Sequence, residues 1–332
     1  MKVFNNKAAF KNPERYKKYI KFLAYSLTDP ISKGFRGALI LIQQQLGYVY
    51  LLLMFFTSGI TTVLTKYLLM GQLNPYHILT YTSFIGLVTL AAFNYRRGVN
   101  RFVQSNLGLG WLIVAAISGF SLYEISFNIA LEYMTVSQTI IIYYSNPIFL
   151  YFASLIFLKK GKEKTINMKV LVGILLSFAG VYFVLTGGKL LAFSLNIGII
   201  YILISIISIT IFTILGKKRD IPELQFLFMG QAISLISGIF ILTAKNWWIM
   251  PNLHESAYII FIAVVYNIIN MVFYLKTIQF LSVEKLSTLT YASPIVTSGL
   301  AVLILKEPLL ITTVIGLSLV IIGNIVASYR NN

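Results

Sequence analysis

Apolar residues in this chain fall into runs of nearly twenty, and polar residues are confined to short intervals between them. A helix needs about 20 apolar residues to cross about 30 Å of hydrocarbon. The runs predict ten transmembrane helices, at roughly 48–70, 75–94, 108–130, 136–158, 168–187, 194–215, 223–244, 256–279, 286–305 and 309–329. The apolar stretch from Ala38 to Ile42, cut off by Gln43-Gln44-Gln45, reads as an extension of the first helix beyond the membrane. Composition agrees. The 332 residues are 58% hydrophobic and 11% charged, with mean hydropathy +0.81. A soluble domain has about 45–50% apolar and about 25% charged residues. Too little polar surface is present to wrap a water-soluble globule, so the expected fold class is an all-α membrane protein.

The net charge of +17 changes the picture only through its distribution. Basic residues sit between the runs and in residues 1–47, which hold nine of the 27 Lys and Arg. They read as topology signals and as contacts to anionic lipid headgroups, which excludes nucleic acid as the partner they serve. With the N-terminus in the cytoplasm, thirteen further Lys/Arg fall on the cytoplasmic side and three (Lys189, Lys245 and Lys306) outside. That asymmetry predicts a multi-pass protein with both termini cytoplasmic, and the lack of a large outside segment between runs makes the plasma membrane the expected location. In the arm, Tyr16, Tyr19, Ile20, Leu23 and Leu27 recur at helical spacing opposite Lys17, Lys18 and Lys21. This is the pattern of an interfacial helix that Asp29-Pro30 would end; a disordered basic tail accounts for the same residues. No secretory signal is evident.

The chain then repeats itself. Ser145-Asn146-Pro147-Ile148 leads an apolar run to Leu158-Lys159-Lys160; Ala292-Ser293-Pro294-Ile295 leads another to Leu305-Lys306-Glu307. Each is followed by a glycine pair of the same spacing, Gly173 with Gly180 and Gly316 with Gly323. The prolines are 147 residues apart and the glycines 143. Each half therefore carries five spans, over 48–187 and 194–329. Because five is odd, the second half enters the membrane in the opposite sense, an inverted-topology repeat. Pro147 and Pro294 fall inside the fourth and ninth spans. Each removes a backbone donor and frees a carbonyl upstream, which suits a hinge or a polar site facing a cavity; a packing kink has the same signature. The small residues Gly59, Gly86, Gly119, Gly173, Gly180, Gly316 and Gly323 allow helices to approach closely.

These residues resemble the drug/metabolite transporter superfamily, specifically its EamA-type members. In that family each half ends with a proline-bearing span, a Leu-x-Glu-type turn and a span with two glycines seven residues apart. The second half fits through Leu281-Ser282, Pro294, Glu307 thirteen residues on, Gly316 and Gly323. The first half departs at the turn. Lys160 stands thirteen residues after Pro147, and the nearest acid, Glu163, requires a three-residue insertion. Lys66-Tyr67 ahead of Asn74-Pro75 is similar to the family's basic residue at the end of span 1 and the turn after it. The resemblance covers about 48–329. It implies ten helices, a central substrate cavity near the midplane, spans 5 and 10 at the periphery, and no catalytic chemistry. It names no substrate.

Candidate chemistry is sparse. There is no cysteine, which excludes a disulfide framework and thiolate chemistry. His77 and His254 are too few for a histidine metal site. The ten acids are scattered, and no phosphate-binding loop, paired carboxylates or Ser-His-Asp set is present. No cofactor and no catalytic residue is expected. Ionisable groups inside spans cost about 2.5–3.5 kcal/mol at a helix centre, so each needs a reason. Glu124 in span 3 and Lys66 in span 1 fall at similar depth and are expected to approach each other, directly or through substrate. Glu124 would then bind a substrate ammonium, carry a coupling proton, or form a structural ion pair; Lys66 could instead snorkel to the headgroups.

Asn128 shares a face with Glu124 at i, i+4, and Asn267, Asn270 and Tyr274 share one in span 8. Tyr144 and Asn146 in span 4 and Tyr291 in span 9 adjoin the prolines. Such groups converging from facing helices are what a pocket for a small amphipathic metabolite requires; singly, each also suits interhelical hydrogen bonding. The expected function is secondary transport of an amino acid or related compound by alternating access, as a monomer or homodimer. A lipid-carrier flippase is the main alternative and a membrane-embedded enzyme the second. A side opening toward lipid would favour the flippase and a closed central cavity the metabolite.

Overall fold

The structure, a computed structural model, describes residues 30–96, 109–157, 168–187, 196–216, 223–270, 273, 277, 292–308 and 310–328. Among these residues every regular element is helical and no strand occurs. The first helix, α1, runs over Pro30–Leu69. Proline suits a helix's first turn, where its missing N–H has no partner to lose. The glutamines at 43–45 interrupt the apolar pattern without breaking the helix, as expected. The stretch apolar enough to cross a membrane is Gln45–Leu69. The expected interfacial helix at 16–27 lies outside the described residues.

Helix α2 spans Pro75–Arg96. The third apolar run is one rod in three parts: α3 (Leu109–Ala116), a π-helical segment (Ile117–Leu122), and α4 (Tyr123–Tyr133). The fourth is broken into α5 (Val136–Tyr143) and α6 (Asn146–Phe157). Then come α7 (Met168–Thr186), α8 (Ile197–Gly216) and α9 (Glu223–Lys245). Helix α10 (Leu253–Val264) passes into a second π-helical segment, Val265–Asn270. The last two helices are α11 (Ser293–Leu305) and α12 (Ile311–Ser328). Besides Gln45–Leu69, the stretches Gly110–Tyr133, Ile197–Leu215 and Gln225–Lys245 are long and apolar enough to cross a membrane.

Local chemistry sets the starts. Thr135 caps α5 and Asn252 caps α10, each in a capping box closed by Gln138 and Glu255. Large apolar side chains face outward, including Phe178, Phe240, Leu303 and Ile311, while Thr61, Thr80, Thr82, Thr210 and Asn324 are buried and hydrogen-bonded. A lipid solvent dictates that inversion, because apolar groups have nothing to escape and polar groups must find partners inside.

Helices pair across the two halves of the chain: α2 with α9, α4 with α8, α1 with α11, α6 with α8, and α7 with α12. The closest approach is between α7 and α12. A Cβ on Gly180 would sit 2.5 Å from the Gly316 carbonyl oxygen, and one on Gly323 would sit 2.5 Å from that of Gly173. The repeated glycines are thus the seam between these helices, where backbone meets backbone.

Candidate functional site

A cavity of about 240 Å³ opens where α1, α4, α5, α10 with its π segment, and the first turns of α11 converge. Helix α1 presents Ser58, Thr61, Thr62 and Thr65 to it, at the i, i+3, i+4, i+7 spacing of one helical face. Three of these hydroxyls donate to their own helix: Ser58 to the Met54 carbonyl at 2.9 Å, Thr61 to Thr57 at 3.0 Å and Thr62 to Ser58 at 2.9 Å. What remains toward the cavity is lone pairs.

Helix α4 contributes Tyr123, Glu124, Phe127 and Asn128. The π-helical segment ends immediately before Tyr123; one extra residue in a turn rotates all that follows by about 100°. The second π segment carries Tyr266 and Asn270, which also line the cavity. It lies 148 residues after the first, nearly the separation of the two prolines. Aromatic rings form one side: Tyr123 and Tyr143 have centroids 6.0 Å apart, Phe127 and Tyr143 5.5 Å, Tyr143 and Tyr144 5.6 Å. The Glu124 carboxylate makes no hydrogen bond or ion pair with any described residue, and no described lining residue is basic.

Of the residues singled out from sequence, the structure brings Glu124, Asn128, Tyr144 and Asn270 together at this cavity. Asn270 also accepts a hydrogen bond from Thr57 at 3.2 Å. Asn146 is turned elsewhere, accepting from the Thr210 hydroxyl of α8 at 3.1 Å. The side chain of Asn267, and Tyr274 and Tyr291 altogether, lie outside the described residues. Pro147 and Pro294 occupy the second positions of α6 and α11. Instead of kinking a continuous fourth span, Pro147 follows a full break at Tyr144-Ser145.

Lys66 and Glu124 do not pair directly. The Lys66 ammonium donates to the carbonyls of Leu131 at 2.5 Å, Met134 at 3.1 Å and Glu132 at 3.4 Å. A helix C-terminus offers orphan carbonyls and the negative end of the dipole. It draws the cation two turns, about 10 Å, away from the carboxylate. Beside it stands a contact that was legible only as a motif. Glu307 accepts from the Val136 N–H at 2.6 Å, the Ser137 N–H at 3.2 Å and the Ser137 hydroxyl at 2.9 Å. A carboxylate from the second half therefore caps the first turn of α5 in the first half. Lys306, with φ of 55°, makes the left-handed turn that ends α11 and turns the chain toward α5.

The break in the fourth span leaves the Tyr144 carbonyl without a helical donor, and the Asn324 side-chain amide of α12 donates to it at 2.9 Å. An orphaned buried carbonyl costs about 1–3 kcal/mol. Asn324→Leu is expected to lower the melting temperature in detergent measurably, while Asn146→Ala, which removes a weaker neutral pair, lowers it less.

Sequence reading missed the aromatic residues Tyr123, Phe127 and Tyr266, the α1 hydroxyl face, Asn324 and the role of Glu307. The hydroxyl face had a signal, its helical spacing. The aromatics had none, since such residues are everywhere in this chain.

Comparison with known proteins gives two matches to one family description, the EamA-like transporter family, over residues 45–186 and 196–329. A protein of Clostridium kluyveri described as an uncharacterized transporter is 24% identical over 299 residues, covering 86% of this chain and 94% of its own. A protein of known crystal structure is similar in fold, with TM-score 0.52 at 18% identity over 86% of this chain and 96% of that one.

Proposed function

Because the chain belongs to the EamA-like transporter family and is a multi-pass membrane protein, we propose that it is a secondary transporter carrying a small polar or amphipathic metabolite across the plasma membrane by alternating access. It does so through ten spans arranged as two inverted five-helix repeats, with both termini cytoplasmic. The observation that carries this reading is the cavity itself, where the break at Tyr144 in the first repeat and the π segment of the second meet. Unwound or π-helical segments near the midplane are tolerated where they line a cavity, and transporters bind substrate there.

The pairing of helices supports the inverted repeat. Exchanging each element for its counterpart in the other half maps α2–α9 and α7–α12 onto themselves, α1–α11 onto α6–α8, and the packing of α8 with the first π segment onto that of α1 with the second. Two halves so related can trade roles, opening the cavity to either side in turn. The small volume fits a metabolite of amino-acid size, below the common range of about 300–1,000 Å³ for drug-sized pockets.

The test is counterflow in liposomes holding the purified protein and preloaded with a metabolite mixture, using labelled amino acids, nucleotides and S-adenosylmethionine. Accumulation of a labelled solute is expected with the unaltered chain and is expected to fall sharply in Glu124→Gln. One observation favours the flippase as a second reading: an apolar groove of about 500 Å³ between α5, α6, α7 and α8, lined by Phe149, Phe178, Tyr182 and Leu203. It does not include Glu124. Movement of lipid-linked substrates with no counterflow of any soluble solute would establish that reading in place of the first.

A further inference from the structure

Resting on the transporter reading above, we infer that the central cavity is built for an organic ammonium cation rather than for a zwitterion, an anion or a neutral solute. The first observation is the charge balance of the site. Glu124 lies among the apolar and aromatic groups of the cavity, with neither a hydrogen bond nor an ion pair to any described residue. The described cation against α4, Lys66 of α1, sits at the far end of α4, committed to the carbonyls of Leu131, Glu132 and Met134. A carboxylate inside the membrane needs a positive partner, a proton or a cation. The described side chains around Glu124 leave that place to the cargo.

The second observation concerns which hydrogen bonds remain to be made. Ser58, Thr61 and Thr62 have already given their protons to the backbone of α1. Toward the cavity these three can only accept, so they suit the N–H groups of an ammonium; the lining groups that can donate, the amides of Asn128 and Asn270 among them, are neutral. The third is the wall of Tyr123, Phe127, Tyr143 and Tyr144. Aromatic faces attract cations by about 0.5–2 kcal/mol, more when water is excluded. Carboxylate, spent hydroxyls and aromatic rings point to the same charge, and none of the described lining side chains could neutralise the carboxylate of an amino acid.

The repeat sharpens the point. Counting the 148-residue offset of the π segments from Glu124 leads to Val272, an apolar residue. The two halves share their scaffold but only one carries the acid, so the described lining holds one charge, which calls for one cation.

The experiment compares ligands that differ in charge alone. Thermal stabilisation of the purified full chain in detergent is titrated with 2-phenylethylamine against its neutral counterpart 2-phenylethanol and its zwitterionic counterpart phenylalanine, and with choline against 3,3-dimethylbutan-1-ol. At least one cation is expected to stabilise the protein at concentrations about tenfold or more below its counterparts, the worth of a charge-assisted hydrogen bond. Glu124→Gln is expected to erase that preference. Phe127→Leu, which keeps apolar bulk and removes the ring, is expected to weaken it about threefold, and Tyr143→Phe to retain it. The second and third variants keep the test open should Glu124→Gln fail to fold. Equal stabilisation by cation and neutral counterpart, no stabilisation by either cation, or an undiminished preference in Glu124→Gln overturns the inference. Counterflow of neutral or anionic solutes alone, in the same preparation, would overturn it while leaving the transporter reading intact; no counterflow of any soluble solute would sink that reading as well.

Discussion

Gly316→Leu is expected to yield little or no monodisperse protein, and Gly316→Ala a folded but clearly less stable one. At Gly316 a Cβ would lie 2.6 Å from the Gly180 carbonyl oxygen, where real Cβ atoms essentially never sit. The obstacle is backbone, so it cannot swing aside as a flexible side chain would, and α12 would have to move off α7. Overpacking usually costs about 1–3 kcal/mol. Here the displacement also strips contacts along the whole seam, including the second close approach at Gly323. Within a membrane no hydrophobic drive compensates, because helix association rests on packing itself. The cost of the leucine is therefore expected at or above about 3 kcal/mol, at the upper end of that range. Gly299→Ala is the control. A Cβ there meets nothing within 4 Å, and alanine in a helix interior is favoured over glycine by about 0.5–1 kcal/mol. Size-exclusion profiles and melting curves of the three variants check this; equal behaviour of Gly316→Ala and Gly299→Ala would show that the seam is looser than the structure has it.

How much of this was legible in the sequence depended on whether the signal was local. The all-helical, membrane-spanning character was, because each apolar run declares itself; the break of the fourth run at Tyr144-Ser145 was not. The glycine seam was legible, since Gly173, Gly180, Gly316 and Gly323 repeat at one spacing and small residues in membrane helices have few other uses. Glu124 was legible as a charge that needs a reason. What could not be read was which partner a polar group takes when several are within reach. Lys66 was matched to Glu124 by depth, whereas it sits on the free carbonyls that end α4; depth fixes one coordinate, and the rotation of each helix fixes the other. The π segments are the sharpest case. They change that rotation midway along a span, and nothing in the sequence Ile117–Leu122 marks the extra residue. Asn146 and Asn324 show the same limit. Both are polar residues beside a glycine or proline; only packing decided that Asn324 serves the Tyr144 carbonyl and that Asn146 serves Thr210.

Replacing Glu307 is expected to loosen one end of the cavity. The carboxylate reaches from the second repeat to the first two N–H groups of α5 and to the Ser137 hydroxyl, the places where the positive end of the helix dipole adds to each hydrogen bond. Bonds to a charged group contribute about 1.5–3 kcal/mol each in net terms, and they do not add fully. If the two halves must part at this end for cargo to pass, Glu307→Ala removes that much from the closed arrangement and shifts the balance between arrangements by about tenfold or more. The chain has no cysteine, so a single Thr62→Cys substitution gives a clean reporter inside the cavity. Its labelling by a membrane-impermeant maleimide is expected to be about tenfold faster or more when Glu307→Ala is added, and only for reagent added to the side that the basic residues place outside the cell. Glu307→Asp, which keeps the charge on a shorter arm, is expected to fall between. Unchanged labelling from both sides would reduce Glu307 to the cap of one helix. Faster labelling from both sides alike would mean that the substitution loosens the bundle generally, since a device that closes one end acts on that end alone.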